Sequence, residues 1–354
     1  MEQERNRRRN AMKIREGTDV NNRKIVFEAP WQVSLQKEDA ALKPGKGELL
    51  VETQYSLIST GTELACLSGG EDWFKMPAVP GYCCVSKVLE AGEGMDYKPG
   101  DIVFHYGMHC RYQITSPNPW NLIARVPEGL DIRFVPMVRM ATIAFTAVRV
   151  SEIELGDLVV VSGLGLVGIM AAQLAKLSGA TVIGIDPALH RRELAAKVGI
   201  DRTVAPDEAE AAVKELSGGA GANTVIEATG IPACGESCLK LVGYHGEIIF
   251  LGTPRGDYQT NLASVLRYSH LEDLGSVTFK GAHEWRLPTT RERYVKHSIE
   301  RNTCVCFDLI RQGKLHTAEL VSHIVTPEEA VKVYLEVNKD RNAYLGVIID
   351  WKES

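Results

Sequence analysis

The stretch Leu158–Ala175 (LVVVSGLGLVGIMAAQLA) constrains the fold most, because its 18 residues carry no charge. That length is the lower limit for a helix that crosses a membrane. The run opens with β-branched residues, however, and three glycines interrupt it. A strand, a tight loop and a buried helix explain this pattern better than one continuous helix. We therefore predict no membrane span.

The three glycines Gly163, Gly165 and Gly168 form a GxGxxG motif. The strand LVVVS precedes it and the Ala-rich helix GIMAAQLAKLSG follows, which is the context that the dinucleotide-binding motif requires. The first glycine permits the tight turn, the second lets the backbone approach a pyrophosphate, and the third lets helix and strand pack closely. The helix N-terminus then favours the pyrophosphate anion. The alternative is a glycine-rich turn without a ligand.

An acidic residue at the end of the next strand selects the cofactor. Asp186 ends TVIGI, 18 residues after Gly168, near the usual spacing of about 20. Its carboxylate would accept hydrogen bonds from the ribose hydroxyls and repel a 2′-phosphate, which favours NAD over NADP. Arg191 and Arg192 follow closely and could serve a phosphate, so NADP stays the less favoured alternative.

Further cofactor contacts are predicted inside the turn and after two later strands, since ligands of such sheets bind beyond the carboxyl ends of the strands. The alternative for each is an ordinary turn residue. The additional predicted contacts are Leu166, Val167, Thr229, Gly252 and Thr253.

The chain divides by pattern near residue 156. The first part reads as short strands separated by Gly/Pro turns, and the second alternates buried strands with helices. The Thr326–Glu329 stretch predicts a capped helix start, and the strand YLGVIIDW after that helix is predicted to return to the first domain. We predict an α/β protein: a doubly wound domain at 156–295 and a β-rich domain at 1–155 and 296–354.

Charge and cysteine content exclude some classes of protein. The net charge of -5 gives no general reason for nucleic-acid binding, and the four arginines within the first ten residues are read as a solvated terminus. No apolar segment follows that charged start, so no secretory signal is predicted. The eight cysteines contain no CxxC pair, so reduced thiols in a cytoplasmic protein are expected. The adjacent Cys83 and Cys84 are read as buried and inert.

Several segments together resemble the medium-chain dehydrogenase/reductase superfamily. STGTELA is similar to the segment with its first zinc ligand and GYCCVSKVLEAGEGMDYKPGDIV to the segment around its catalytic zinc. MATIAFTAVRV is similar to the helix that carries its third ligand and leads to the cofactor domain. Nearer relatives are expected among sorbitol, threonine and bacteriochlorophyllide dehydrogenases. The resemblance covers nearly the whole chain. It implies a Rossmann domain, a GroES-like catalytic domain, and a homodimer or homotetramer joined through the edge strand SVTFKGA.

The zinc ligands of that family are replaced here. Its cysteine falls on Thr60, its histidine on Tyr82 and its third ligand on Arg139, while the adjacent glutamate falls on Cys83. Catalytic zinc takes about three N, S or O ligands, and arginine cannot ligate a cation. The four-cysteine structural zinc lobe is also absent from the sequence. We therefore predict no metal site.

Other groups must then stabilise the developing alkoxide. The hypothesis assigns acid/base catalysis to Tyr82, with its pKa lowered by a cation, and electrostatic stabilisation to Arg139. By resemblance, Thr62 is a proton relay and Glu63 its acidic partner, which could also hold Arg139. The alternative is that these side chains merely fill the former zinc pocket.

Histidines compete for the acid/base role, because their pKa lies near neutrality. His283 follows the last predicted strand of the cofactor domain, near the expected nicotinamide. His105 ends a strand and could reach the cleft, whereas His109 was expected in a solvated turn. Each is more often structural.

The resulting prediction is a zinc-independent, NAD(H)-dependent oxidoreductase that interconverts a secondary alcohol and a ketone. By resemblance its substrate would be a polyol, cyclitol or sugar. The alternatives are a zinc-free quinone or enoyl reductase using NAD(P)H, and a non-catalytic NAD(H)-binding redox sensor.

Overall fold

The computed structural model describes residues 17–352, which form two compact units. The first unit holds the chain up to Val126, Ile324–Lys339 and the chain from Ile348 onward. The second holds Pro127–His323 and Asp340–Val347.

The described strands are 3 to 12 residues long. Their bounds are β1 Thr18–Ala29, β2 Gln32–Leu42, β3 Leu49–Ile58, β4 Cys84–Ala91, β5 Ile102–His105, β6 Tyr112–Thr115, β7 Ile123–Arg125, β8 Leu158–Ser162, β9 Thr181–Ile185, β10 Arg202–Val204, β11 Ala222–Glu227, β12 Val242–Phe250, β13 Thr278–Gly281, β14 Val321–Val325 and β15 Gly346–Asp350.

The α-helices lie mostly after residue 130. Their bounds are α1 Thr62–Leu67, α2 Val138–Val150, α3 Leu166–Leu177, α4 Leu189–Lys197, α5 Ala209–Leu216, α6 Pro232–Ser237, α7 Leu262–His270, α8 Ile299–Arg311 and α9 Pro327–Lys339. Short 3₁₀ turns include Val135–Met137 and Glu284–Arg286.

The first unit is built on a sheet of order β14-β15-β3-β4-β5-β7, with β6 paired to β3. The prediction that the last strand returns to the N-terminal domain is confirmed, since β15 lies beside β3. An antiparallel hairpin of β1 and β2 forms a separate two-stranded sheet. The sequence analysis missed β2, because its charged and half-exposed residues show little apolar alternation.

The second unit contains a six-stranded parallel sheet of order β10-β9-β8-β11-β12-β13. Strand order reverses between β8 and β11, which is the point where doubly wound sheets bind ligands. Strands β8, β9 and β11 are almost fully buried and rich in Val and Ile, as parallel strands covered on both faces should be. The predicted α/β fold class is confirmed, and β13 is an edge strand, as predicted for SVTFKGA.

The predicted domain boundaries differ from the observed units. Residues 127–155 and 296–323 belong to the second unit rather than to the β-rich one. The reason is packing, because α2 lies against α3 and α8 and buries most of its own residues there. Sequence pattern detects where strands give way to helices, but it does not show which sheet a connecting helix covers.

Two further expectations concern the chain ends and the apolar run. The predicted helix start is confirmed: Thr326 Oγ1 accepts from Glu329 N at 3.3 Å and the Glu329 carboxylate accepts from Thr326 N at 2.9 Å. The apolar run Leu158–Ala175 splits into β8 and α3, and no described helix is long and apolar enough to span a membrane. The four N-terminal arginines lie outside the described residues.

Candidate active site

The glycine turn between β8 and α3 has the geometry that its sequence predicts. Gly163 has φ +96°, a conformation that side chains other than glycine rarely adopt. A Cβ on Gly168 would lie 1.9 Å from the Gly163 carbonyl oxygen, so this glycine is required for helix and strand to approach. A Cβ on Gly165, by contrast, would meet no atom within 4 Å. The turn therefore leaves open space in front of the α3 N-terminus, where a pyrophosphate fits.

Asp186 fixes this turn from the neighbouring strand. Its carboxylate accepts from Leu164 N at 2.9 Å and from Ala188 N at 2.8 Å, and its side chain is almost fully buried. Each carboxylate oxygen has two lone pairs, so acceptor capacity remains for a ribose hydroxyl. Arg191 Nη1 lies 3.7 Å from Asp186 Oδ2, and Arg192 Nη1 donates to the Asp186 carbonyl at 2.7 Å.

The later strand ends lie along the same edge of the sheet, because β8, β9, β11 and β12 are parallel neighbours. Thr229 is held by Glu227, whose Oε1 accepts from both its backbone N and its hydroxyl. Gly252 packs against Gly230, where an added Cβ would lie 2.3 Å from the Gly230 nitrogen. Thr253 is exposed. Glu227 was missed by the sequence analysis, although its place at the end of TVIE marked it.

The residues at this edge fit a nicotinamide dinucleotide. The open space at Gly165, the α3 N-terminus and the buried Asp186 supply a cradle, an anion site and an acceptor, in the positions that pyrophosphate and ribose need. Leu166 and Val167 form the first turn of α3 beside that cradle. The contacts of these residues with a cofactor stay a prediction.

In the first unit, Tyr82 lies in a cluster of hydroxyl groups. Its hydroxyl donates to Ser59 Oγ at 2.5 Å, and it is also hydrogen-bonded with Thr62. Burial, with smaller contributions from Cys83 and Glu63, raises the pKa of Tyr82 above its usual 10.0. The expectation of a lowered pKa is therefore wrong: the phenol stays protonated at neutral pH and is a proton donor. Ser59 was missed, although it adjoins Thr60 in STGTE.

Glu63 has partners other than the predicted one. Its carboxylate accepts from Ser59 N at 3.0 Å and from the Tyr334 hydroxyl at 2.5 Å, and it lies 3.1 Å from His109 Nε2. His109 Nδ1 in turn lies 2.8 Å from Ser56 Oγ. All of these side chains are buried. Glu63 thus anchors the start of α1 to the core, and the proposal that it holds Arg139 is wrong.

Arg139, in the second unit, pairs with Glu284. Both side chains are buried, and the guanidinium also lies 5.6 Å from the Trp285 ring centroid. A carboxylate therefore already neutralises this cation, which weakens its predicted role as the stabiliser of an alkoxide. Glu284 was missed, although it adjoins His283 in the sequence.

The competing histidines differ in exposure. His283 is exposed and begins the turn after β13, so it is accessible. His105 is fully buried, with Nε2 2.8 Å from Ser86 Oγ, and burial lowers its pKa to about 3. His109 is also fully buried, so the expectation of a solvated turn residue is wrong.

The cysteines of the PGYCC segment are buried free thiols. Cys84 Sγ donates to the Gly107 carbonyl at 3.1 Å, and burial raises its pKa well above 9.0. Gly81 has φ +106°, and a Cβ there would lie 2.7 Å from His109 N, so glycine is needed beside Tyr82. The predicted burial is confirmed for both Cys83 and Cys84.

A catalytic zinc ion does not fit the side chains that the sequence analysis predicts at the family's ligand positions. Thr60 and Tyr82 offer only hydroxyls, and the side chain of Arg139 is a paired cation. Within residues 17–352, no group of three or more His, Cys, Asp or Glu is placed to hold a metal ion. Thr60 and Tyr82 lie in the first unit and Arg139 in the second, so the convergence of all three on one pocket stays a prediction.

Comparison with known proteins identifies the family. Residues 167–290 match the family described as zinc-binding dehydrogenase. The D-guloside 3-dehydrogenase of Escherichia coli is 28% identical over 275 residues, covering 75% of this chain and 76% of that protein. A sorbitol dehydrogenase of Halalkalibacterium halodurans is 26% identical over 327 residues, covering 82% and 88%. Over these stretches the chain is similar to zinc-binding dehydrogenases. It is an oxidoreductase of the medium-chain alcohol dehydrogenase type.

Solved structures of this family share the fold. A putative zinc-binding dehydrogenase from Sinorhizobium meliloti, bound to NADP, has a TM-score of 0.76 and 21% identity. The match covers 94% of this chain and 99% of that one. The Rossmann and GroES-like architecture predicted by resemblance is therefore confirmed, while the choice between NAD and NADP depends on this chain's own residues.

Proposed function

We propose that this dehydrogenase interconverts a secondary alcohol and a ketone with NAD(H) and without zinc. The proposal is supported by the glycine turn held by Asp186, together with the hydroxyl and guanidinium groups of the residues that the resemblance aligns with the zinc ligands. In this proposal the cofactor half of the family's catalytic machinery is kept and the zinc half is replaced by other side chains.

The cofactor would be held by Gly163, Gly165, Gly168 and Asp186, and it would carry the hydride. Asp186 favours NAD, because its buried carboxylate would repel a 2′-phosphate. Arg191, 3.7 Å away, partly offsets that charge, so the preference is expected to be moderate.

Tyr82 is proposed as the acid that protonates the substrate oxygen during ketone reduction. Its raised pKa keeps the proton on the phenol at neutral pH. Thr62 and Ser59, which are both hydrogen-bonded to Tyr82, then return a proton to it. Arg139 and His283 have supporting roles in this proposal, and Thr60 shapes the pocket.

The substrate class rests on the relatives, which act on polyols and sugar derivatives according to their names. We propose a polyol, cyclitol or sugar with a secondary hydroxyl. The same proposal includes a homodimer or homotetramer joined through the β13 edge and, since the described cysteines are free thiols, a cytoplasmic location.

The experiment is a turnover screen of polyols and ketones with NAD+ or NADH, alongside elemental analysis for zinc. The proposal is supported if the protein turns over substrate while it contains roughly no zinc, that is, less than about 0.1 zinc atom per chain. Tyr82→Phe is expected to lower kcat by about 10²- to 10⁴-fold while leaving NADH affinity unchanged. Ser59→Ala, which removes the partner of Tyr82, should have a smaller effect.

Two results would contradict the proposal. One is stoichiometric zinc whose removal abolishes turnover. The other is a Tyr82→Phe variant that retains the parental kcat. Tight NADH binding without turnover of any tested substrate would instead favour a redox sensor, and reduction of quinones or enones with NADPH would favour the reductase alternative.

A further inference from the structure

A positively charged cluster lies where the C-terminal end of α2 meets the N-terminal end of α8. It contains Arg149 on α2 and, beside or on α8, Lys296, His297 and Arg301. The segment from Arg286 to Arg301 carries five Arg or Lys and two Glu, a net charge of +3 (5 − 2). The chain as a whole has a net charge of -5, so this positive segment is a local exception.

The two guanidinium groups are held in fixed positions. Arg149 Nε donates to Asn302 Oδ1 at 3.1 Å, and the group lies 4.0 Å from the Phe145 ring centroid. Arg301 Nη1 donates to the Lys296 carbonyl at 2.9 Å and to His297 Nδ1 at 2.8 Å. A guanidinium has five N–H donors, so these contacts use only a part of each group.

Among residues 17–352, no Asp or Glu forms an ion pair with any of the four members of this cluster. The adjacent Glu300 accepts instead from Arg291 N at 3.0 Å. Burial and the three neighbouring cations lower the pKa of His297 to about 4. The half-buried guanidinium groups of Arg149 and Arg301 repel one another, and a bound anion would relieve that repulsion.

The backbone at the start of α8 is not available for this anion. Its first N–H groups are already used: Ile299 N donates to the Pro288 carbonyl, Glu300 N to the Thr289 carbonyl, and Arg301 N to Ser298 Oγ. Recognition must therefore come from the side chains. A pair of arginines matches the several oxygens of a phosphoryl group better than it matches a single carboxylate.

We propose that Arg149, Lys296, His297 and Arg301 form a binding site for a phosphate-bearing small molecule, separate from the dinucleotide turn. Arg149 is ten residues along α2 from Arg139, about 15 Å of helix, so the cluster lies away from the Arg139–Glu284 pair. A ligand here would bridge α2 to α8 and stabilise the second unit by mass action.

The test is isothermal titration of the full-length protein with inorganic phosphate, at constant ionic strength set with KCl, with and without saturating NADH. Saturable binding of equal affinity in both conditions is expected. Arg301→Gln should weaken this binding about tenfold or more, because it removes both the positive charge and the paired N–H donors of the guanidinium group. Arg301→Lys should weaken it less. Arg149→Gln gives a second variant on the other helix.

The matched control is Arg311→Gln on the same helix, where the exposed Arg311 pairs with Asp308 at 2.8 Å. This variant should bind phosphate as the parent does. The proposal is overturned by absent saturation, by unchanged affinity in Arg301→Gln, or by equal loss in Arg311→Gln. Competition between phosphate and NADH would assign the anion to the dinucleotide turn, and tighter binding of polyglutamate than of phosphate would assign the surface to an acidic protein. Either result also overturns the proposal.

Discussion

The glycine turn of the second unit and the tyrosine cluster of the first unit are built differently. The turn is set by backbone geometry within a short segment, and one nearby carboxylate, Asp186, fixes it. The cluster depends on side chains far apart in sequence: Tyr82 meets Ser59 across 23 residues, and Glu63 meets Tyr334 across 271. A site formed by backbone geometry can therefore be predicted from a short sequence motif. A site formed by side chains depends on distant partners that no short motif contains.

The largest expected effect concerns a side-chain pair. Glu284→Gln removes the negative charge that pairs with the buried Arg139 cation, which should lower the free energy of unfolding by about 3 kcal/mol. Urea unfolding followed by circular dichroism measures this. Asp131→Asn, in the exposed pair with Arg133, is the control and should change stability by less than about 1 kcal/mol.

The double variant Arg139→Met with Glu284→Leu sharpens this result. Because it removes both charges, it should recover most of the lost stability. If the single and double variants are equally unstable, packing rather than the unpaired charge explains the loss. If Glu284→Gln is as stable as the parent, the ion pair makes no net contribution.

The next effect tests the backbone-built site. Gly165→Asp places a side chain and a negative charge in the open space before α3, so NADH should bind about 100-fold more weakly. Thermal stability should stay near the parental value, because aspartate is favoured at a helix N-cap. Fluorescence titration with NADH and a melting curve measure the two properties.

Gly168→Ala is the contrasting variant at the same turn. Its Cβ would lie 1.9 Å from the Gly163 oxygen, so it should lower the melting temperature as well as NADH affinity. Equal behaviour of the two variants would show that the open space at Gly165 does not face the cofactor.

Particular residues show how far sequence reasoning reaches. The turn at Gly163, the doubly wound sheet, the capped start of α9 and the return of β15 follow from local patterns, because each depends on spacing or on glycine conformation. The partners of Arg139 and Glu63 were assigned wrongly, because a charge seeks whichever opposite charge or hydrogen bond the packing brings near. Strand β2 was missed because its charged and half-exposed residues show little apolar alternation.

A smaller effect concerns cofactor choice at Asp186. Asp186→Asn keeps an acceptor for Leu164 N but loses the charge, so the NADH/NADPH affinity ratio should fall about tenfold. Arg191→Gln is the paired variant and should shift the ratio the other way, because it removes the cation beside the carboxylate. Affinities for both cofactors are measured by fluorescence titration. An unchanged ratio in both variants would separate these residues from the ribose.

The smallest effect returns to the first unit, at His105 in the interior of its sheet. Burial lowers the pKa of His105 to about 3, below its ordinary 6.5, so the unfolded chain binds a proton that the folded chain refuses. Stability from this group is therefore complete above pH 6.5 and is lost as the pH falls from there towards 3. Between pH 7.5 and 5.5 the loss amounts to about 1.4 kcal/mol. His105→Gln retains a partner for Ser86 and should reduce the slope of stability against pH in this window by that amount. Urea unfolding at both pH values, with the exposed His190→Gln as the control, measures the difference. Identical slopes in the parent and His105→Gln would mean that His105 binds its proton equally well in the folded and unfolded protein.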